Sequence, residues 1–395
     1  MFSKRKLFEK AAMLMLPFIV LSSMPSNALA DESLSVSEER AEVDLGLDCK
    51  SAILMEASTG EVLYEQNADE ALPPASVTKV MTLLLVMEAI EDGKIKLDDT
   101  VTTSAHAASM GGSQIFLKEG EMMSVEDMLK SVVIASANDA ACALAEFVAG
   151  SEAAFVKKMN EKAAELGMEN TSFENTNGLD DTATNHLTSA RDIAIMSREL
   201  IKHKKILEYS SIWMDTVRNG LFGLTNTNRL VRFYRGCTGL KTGSTSKAGF
   251  CVSATAERDG VSLICVIMGA ESGDKRNSIA AGLLDWGFAN YGVYTYMPEA
   301  LDPIKLTGGT SANLKIEAEG FSSVLEKSKI GKVKYNVELP LSVAAPVKAG
   351  DRVGRITFSV DGKEIGSADI KASEDIPKIG FFALWYRMMA KFLLK

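Results

Sequence analysis

Residues 73–87 read PPASVTKVMTLLLVM and place a serine, Ser76, three residues before a lysine, Lys79. In a helix this spacing puts the hydroxyl and the amine on one face, where an unprotonated lysine could accept the serine proton. More often such a serine is a helix cap, and such a lysine is a solvated charge. Here the segment after Lys79 is almost entirely apolar, which predicts a buried helix, and a lysine in a buried helix needs a chemical reason.

Two further short motifs follow in order along the chain. Residues 136–138 (SAN) lie in a break between two apolar helical segments, and residues 241–243 (KTG) precede a hairpin. S-x-x-K, then S-x-N, then K-T-G is the constellation of penicillin-binding proteins and serine β-lactamases. Each triplet alone is a weak signal, but the three in this order and in these contexts form a strong one.

The chain resembles the serine D-alanyl-D-alanine carboxypeptidases, the low-molecular-weight penicillin-binding proteins, from about residue 48 to residue 291. Members of this family commonly add a small C-terminal β-domain and an amphipathic anchor. Residues 212–215 (IWMD) and 226–230 (NTNRL) look closest to the sporulation-type branch from Gram-positive bacteria. Beyond the triplets, the resemblance rests on residues 73–79 (PPASVTK), 110–114 (MGGSQ), 135–140 (ASANDA) and 189–192 (SARD).

The resemblance and the chemistry of the side chains together imply catalytic roles. Ser76 would attack the carbonyl between the two terminal D-alanines of a peptidoglycan stem peptide and form an acyl-enzyme, with Lys79 as base. Burial and a second cation, Lys241, would lower the pKa of Lys79. Ser136 would relay the proton to the departing D-alanine, and Asn138 would hold the substrate amide. β-Lactams would be covalent inhibitors because they imitate the same terminus.

The strand of residues 241–245 would pair with the substrate peptide as an added strand. The backbone amides of Ser76 and Ser244 would form the oxyanion hole. Arg276 stands where related enzymes carry a carboxylate-binding arginine, although an ordinary surface arginine is the more common explanation for such a residue. We expect no cofactor and no metal in the site. The residues expected to bind substrate are Asn138, Lys241, Thr242, Gly243, Ser244, Thr245 and Arg276.

Hydrophobic periodicity predicts an α+β fold, and the family resemblance implies that this fold is of the β-lactamase/transpeptidase type. Hairpins over residues 51–64 and 249–268 bracket a run of helical segments, which indicates an antiparallel sheet covered by helices. Short alternating segments then predict a small all-β domain, and the last residues predict an amphipathic helix. The expected domains are a carboxypeptidase domain over residues 47–298, a β-rich domain over 303–371 and a membrane-anchor helix over 376–395.

The first 30 residues have the order of a secretory signal peptide: four cations, a short apolar run and the ending Ala28-Leu29-Ala30. An acidic leader over residues 31–46 follows. Export would place the enzyme outside the cytoplasm. The five cysteines are scattered and odd in number, so they favour packing roles over a disulfide framework.

The terminal segment after residue 376 has large apolar residues at spacings of three and four, with cations gathered opposite. This pattern predicts an interfacial helix that binds an anionic membrane surface, which would hold the enzyme on the outer face of the cytoplasmic membrane, facing the cell wall. The apolar residues are Phe381, Phe382, Trp385, Met388, Met389, Phe392 and Leu393, and the cations are Arg387, Lys391 and Lys395.

Other functions are less well supported. A net charge of -9 gives no electrostatic basis for binding nucleic acid. With only three histidines, the sequence gives little support for a Ser-His-Asp triad. It also lacks the H-E-x-x-H motif that is typical of zinc hydrolases. A β-lactamase or a transpeptidase with the same acylation site remains an alternative, although residues 151–219 contain no E-x-x-L-N segment for a deacylating water. A non-catalytic cell-wall binding protein is a third possibility.

Overall fold

The computed structural model describes residues 44–180 and 183–393. The expected signal peptide and most of the acidic leader lie outside these residues. The side chains of residues 391–395 also lie outside the description. The strands up to residue 296 are β1 (Ser51–Glu56), β2 (Val62–Gln66), β3 (Thr100–Thr102), β4 (Met122–Ser124), β5 (Met214–Val217), β6 (Phe222–Thr225), β7 (Cys237–Thr245), β8 (Gly249–Arg258), β9 (Val261–Ala270) and β10 (Tyr291–Tyr296).

A short 3₁₀ helix, Ala75–Thr78, leads directly into the first α-helix. Serine side chains cap the N-termini of several helices. Each of them accepts a hydrogen bond from a backbone amide of the first turn, and the residues are Ser124, Ser151, Ser189 and Ser272. The helices are α1 (Lys79–Glu91), α2 (Ala105–Ala108), α3 (Val125–Ile134), α4 (Asn138–Ala149), α5 (Glu152–Glu165), α6 (Ala190–Leu200), α7 (Lys204–Ser210), α8 (Leu230–Phe233) and α9 (Gly273–Asn290).

The central sheet is five-stranded and antiparallel, in the order β2-β1-β9-β8-β7. Ser51 pairs with Met268, so the two ends of the catalytic segment meet in this sheet, as the sequence predicts. The β8–β9 hairpin turns at Asp259 and Gly260, which both have positive φ, as a two-residue type I′ turn requires. The predicted α+β fold is confirmed.

Helices cover both faces of the sheet. On one face Ile53 and Val266 pack in the same core as α1, α4 and α6. On the other face Leu54 and Leu263 pack against α9. Because successive side chains of a strand point to opposite faces, burial of both faces explains why the strand sequences are almost continuously apolar. The sequence analysis did not predict α9.

The C-terminal segment forms a β-domain with its own core around Ile356, Phe358 and Ile370. Phe358 stacks on Phe321 with ring centroids 4.2 Å apart. Strand β10 lies before the predicted boundary at residue 298, but it pairs with residues 321–326 of the β-domain. The boundary between the two domains therefore remains a prediction. The elements are β11 (Ile304–Thr307), β12 (Asn313–Leu314), β13 (Ile316–Ala318), β14 (Phe321–Glu326), α10 (Lys327–Ile330), β15 (Lys334–Glu338), β16 (Ser342–Ala344), β17 (Arg352–Val360) and β18 (Lys363–Ala372).

The C-terminal helix α11 (Phe381–Leu393) follows this domain. Its large apolar side chains are exposed, including Phe382 at 84% and Trp385 at 57%. Arg387 donates hydrogen bonds to the backbone carbonyls of Gly309 and Thr310 in the β-domain. Within the described residues, none of the helices combines the length and the apolar character needed to cross a membrane.

Candidate active site

Ser76 and Lys79 are in contact at the start of α1. Lys79 Nζ lies 2.8 Å from Ser76 Oγ and donates a hydrogen bond to the backbone carbonyl of Asn177, also at 2.8 Å. Lys79 is completely buried, whereas Ser76 is half-buried. The sequence spacing therefore produces a serine hydroxyl that a ligand can approach and an amine shielded behind it.

Burial lowers the pKa of Lys79 well below its ordinary value, and the positive charge of Lys241 lowers it further. The carboxylate of Asp139 acts in the opposite direction, with a smaller effect. Lys241 is itself buried, and burial together with the charge of Arg276 lowers its pKa to about 7. A lysine with a lowered pKa has a neutral amine that can accept a proton, which is the property required of a base for Ser76.

The turn that carries Ser76 is held by groups that the sequence analysis did not select. Ala75 has φ +48, and its carbonyl accepts a hydrogen bond from Thr78 Oγ1. His186 Nε2 lies 2.7 Å from Thr78 Oγ1, while Nδ1 of the same ring accepts from the amide of Glu174, so Nε2 carries the proton. Burial lowers the pKa of His186 to about 4, which keeps the ring neutral.

Gly178 also fits closely against this turn. Its φ is +86, and a Cβ at this position would lie 1.8 Å from the carbonyl oxygen of Ala75. The preceding residue, Asn177, supplies the carbonyl that binds Lys79. The dipeptide Asn177-Gly178 is a turn signal that sequence reasoning could have used, but nothing in the pattern connects it with Ser76.

Ser136 and Asn138 lie just before and at the start of α4. Ser136 has φ +61 and is buried. Within the part of the chain that the structure describes, Ser136 Oγ and Asn138 Oδ1 are buried without a hydrogen-bond partner. Asn138 Nδ2 donates to the carbonyl of Gly111 at 2.7 Å, which fixes the orientation of the amide. Buried polar atoms without partners are uncommon, so these two atoms are candidates for contact with a ligand.

The next residue, Asp139, holds the loop that borders Asn138. Its carboxylate accepts from the backbone amides of Ile115 and Leu117 at 3.0–3.2 Å. Asn138 N donates to the carbonyl of Ser113 at 2.7 Å. The segment 110–114, which carries part of the family resemblance, is thereby fastened to the start of α4.

The third motif lies on β7, next to the nucleophile. A Cβ at Gly243 would lie only 2.7 Å from the amide nitrogen of Ser76, so the strand and the turn are in direct contact. Lys241 Nζ donates to the carbonyl of Thr242 at 2.8 Å. Thr242 Oγ1 donates to Thr227 Oγ1, also at 2.8 Å. Thr227 belongs to a segment that carries the resemblance, but the sequence analysis gave it no role.

The remaining predicted residues lie around this contact. Ser244 is exposed, and Thr245 Oγ1 accepts from the amide of Ala248 in the turn to β8. Arg276 in α9 is buried, with Nη2 3.0 Å from Asn277 Oδ1. Arg276 Nη1 also lies 3.5 Å from the backbone carbonyl oxygen of Cys251, the residue of β8 that pairs with Gly243 of the KTG motif. The structure thus places Lys79 and the KTG strand in contact with Ser76, and it places the S-x-N motif at the start of α4, which packs in the same core as α1.

Comparison with known proteins agrees with the family resemblance that the sequence motifs indicate. The sequence model described as D-alanyl-D-alanine carboxypeptidase matches residues 37–272. The chain belongs to the D-alanyl-D-alanine carboxypeptidase family. A second model, described as the C-terminal domain of penicillin-binding protein 5, matches residues 303–378 of this carboxypeptidase family member. It is accordingly a serine peptidase of the hydrolase class, and the family resemblance inferred from the sequence motifs is confirmed.

Its similarity to relatives extends over almost the whole chain. D-alanyl-D-alanine carboxypeptidase DacF of Bacillus subtilis is 40% identical over 95% of this chain and 96% of its own length. DacC of Escherichia coli is 36% identical over 88% of this chain and 89% of its own.

Solved structures of similar proteins share the fold. Penicillin-binding protein 5 from Haemophilus influenzae matches with a TM-score of 0.70 and 31% identity, covering 85% of this chain and 99% of its own. Penicillin-binding protein D2 from Listeria monocytogenes, solved in an ampicillin-bound form, matches with a TM-score of 0.58 and 34% identity. That match covers 62% of this chain and 100% of the Listeria chain.

Proposed function

We propose that this enzyme removes the terminal D-alanine from peptidoglycan stem peptides through an acyl-enzyme at Ser76. The observation that carries the proposal is the 2.8 Å contact between Ser76 Oγ and a fully buried Lys79 whose pKa is lowered. The same acylation makes the protein a penicillin-binding one, because a β-lactam imitates the D-alanyl-D-alanine terminus.

In the first step, neutral Lys79 accepts the proton of Ser76, and the serine oxygen bonds to the carbonyl carbon between the two D-alanines. The backbone amides of Ser76 and Ser244 stabilise the negative charge on the carbonyl oxygen. The bond to the nitrogen of the last D-alanine then breaks, and Ser136 relays the proton from Lys79 to that nitrogen. Water next attacks the ester, which releases the shortened peptide and restores the Ser76 hydroxyl.

The substrate would bind along β7. This strand lies at the end of the five-stranded sheet, so its outer edge can pair with an extended peptide. Asn138 Oδ1 has no partner within the described residues and would accept a hydrogen bond from the substrate amide. Lys241, Thr242 and Arg276 would bind the terminal carboxylate, since Lys241 and Arg276 carry basic groups and Thr242 carries a hydroxyl that can exchange its bond to Thr227 for one to the ligand.

The enzyme would act outside the cytoplasm, after export by the predicted signal peptide. The C-terminal helix would hold it on the outer face of the cytoplasmic membrane, with the cleft facing the wall. Support for this placement comes from the exposed apolar side chains of α11, which have no core to join in the described structure.

Labelled penicillin tests the acylation site. The purified chain should form a stable adduct on the peptide that contains Ser76, and Ser76→Ala should abolish the labelling. Labelling that persists in this variant would place the nucleophile elsewhere. Rapid production of penicilloate without a stable adduct would favour a β-lactamase, and absence of both would favour a non-catalytic binding protein.

A further inference from the structure

A second cluster of chemically reactive side chains lies outside the active site. His106, Cys142 and Glu152 come from α2, α4 and α5, and their ligand atoms all lie within 4.8 Å of one another. His106 Nε2 is 2.6 Å from Glu152 Oε2. The three residues lie in different helices, so no local sequence motif identifies the cluster.

The surroundings of the cluster have two features that a metal site requires. Glu152 Oε1 accepts hydrogen bonds from the backbone amide and the hydroxyl of Thr176, which orients the carboxylate so that Oε2 points at His106. Such support of a ligand by a second residue is typical of metal sites. Cys142 is fully buried, and His106 is exposed, so one side of the cluster is closed and the other is open to water.

We propose that His106, Cys142 and Glu152 bind one Zn²⁺ ion, with solvent as the fourth ligand. Imidazole, thiolate and carboxylate are the donors that zinc uses in proteins, at about 2.0–2.3 Å from the metal. Ligand atoms in a tetrahedral zinc site lie about 3–4 Å apart, so His106 Nε2 and Glu152 Oε2, which are 2.6 Å apart, need to separate slightly. The thiol proton passes to solvent as the metal binds.

The ion would fasten three helices together behind the active site. Glu152 binds Thr176, and the next residue, Asn177, supplies the carbonyl that accepts from Lys79. Helix α4, which carries Cys142, begins at Asn138. The site would therefore stabilise the part of the fold that positions the base and the substrate amide, without itself touching the reacting atoms.

Metal binding to the purified chain tests the proposal, with a readout that does not depend on peptidase activity. The reduced protein is stripped with a chelator, dialysed against Zn²⁺ and analysed for metal content, and Co²⁺ is used as a spectroscopic substitute. We expect one Zn²⁺ per chain and a cobalt–thiolate charge-transfer band. His106→Gln should weaken zinc binding at least tenfold, and Cys142→Ser should abolish the band.

His203→Gln is the matched control, because His203 also pairs with a glutamate, Glu91, at 2.7 Å, but is not part of a cluster with a cysteine among the described residues. This variant should bind zinc like the unmodified chain. Circular dichroism establishes that each variant is folded. A folded wild-type chain that retains no zinc, or zinc content and affinity that are unchanged in His106→Gln or Cys142→Ser, would overturn the proposal.

Discussion

The chemistry of the single residue Lys79 depends on its burial in a hydrophobic interior. Water stabilises a charged amine, and loss of that water favours the neutral form. The nearby charge of Lys241 acts in the same direction. The same burial that makes Lys79 a base reduces the stability of the fold, because the pKa of this side chain is lower in the native chain than in the unfolded chain, which therefore binds the proton more strongly.

Replacing Lys79 with methionine should therefore have opposite effects on activity and stability. Lys79→Met should lower the rate of penicillin acylation by about 10²–10⁴-fold, the usual contribution of a general base. At neutral pH it should also raise the Tm, because the native-state pKa of Lys79 is lowered and its unfavourable effect on stability persists until the pH approaches 10.5. Lys130→Met, at a half-exposed ion pair with Asp215, is the control. Acylation at the normal rate in Lys79→Met would exclude Lys79 as the base.

His186 predicts a pH dependence of stability. Its pKa falls from 6.5 to about 4 on folding, so the unfolded state binds the additional proton between these values. Stability should therefore decrease as the pH falls from 6.5 to 4, by about 3 kcal/mol in total. Thermal unfolding followed across this range should show a flatter profile in His186→Gln, whose amide can still bond Thr78. An unchanged slope in the variant would contradict the assignment of a neutral, buried His186.

At the scale of secondary-structure elements, the site depends on the close approach of β7 to the 3₁₀ turn that carries Ser76. Gly243 makes this approach possible because it has no side chain to separate the two backbones. The turn is also supported from the opposite direction, where Gly178 meets the carbonyl of Ala75. The nucleophile is thus held between two segments distant in sequence.

Gly243→Ala tests this contact. The added methyl would lie 2.7 Å from Ser76 N and 2.8 Å from Pro74 O, so β7 or the turn has to move. Such overpacking typically costs about 1–3 kcal/mol, and we expect a lower Tm together with at least tenfold slower acylation by penicillin. Gly223→Ala, in strand β6 where a Cβ meets no atom within 4 Å, should change neither quantity. If Gly243→Ala and Gly223→Ala had the same Tm and the same acylation rate, the close approach of β7 to the Ser76 turn would not be required for stability or acylation.

The sequence predicted the elements that have regular periodicity or a recognisable motif. The paired hairpins, the buried helix after Ser76 and the three triplets all fall into this group. It did not predict α9, the parallel pairing of β11 with β16, or the support that His186 and Gly178 give to the Ser76 turn. Those features depend on contacts between residues far apart in the chain, and no local pattern specifies which partner a loop residue will meet. The roles assigned to individual site residues remain predictions.

For the molecule as a whole, the proposal to be tested is that the C-terminal helix binds a membrane surface. The β-domain ends in a segment that stays paired with it, since Ile379 N donates to Gly308 O and Thr310 N donates to Pro377 O. Beyond Gly380, α11 exposes Phe381, Phe382 and Trp385 to solvent. An exposed apolar surface of this kind marks a site that binds another surface.

Removing the helix should release the enzyme. A chain that ends at Gly380 keeps the pairing of residues 377–379 with the β-domain and should be soluble and fully active, whereas the intact chain should pellet with anionic vesicles. Salt alone should detach the intact chain only in part, because the aromatic side chains bind the headgroup boundary independently of charge. Deleting residues 377–395 should also release the enzyme. Truncated protein that still pellets with the vesicles would refute the anchor.

The central claim is that Ser76 and Lys79 cleave the bond between two terminal D-alanines. Its most direct test measures free D-alanine released from a stem pentapeptide that ends in D-alanyl-D-alanine. The purified chain should release one D-alanine per peptide with repeated turnover, and Ser76→Ala should release none while remaining folded. A folded wild-type chain that releases no D-alanine, or a Ser76→Ala variant that releases it at the wild-type rate, would contradict the account.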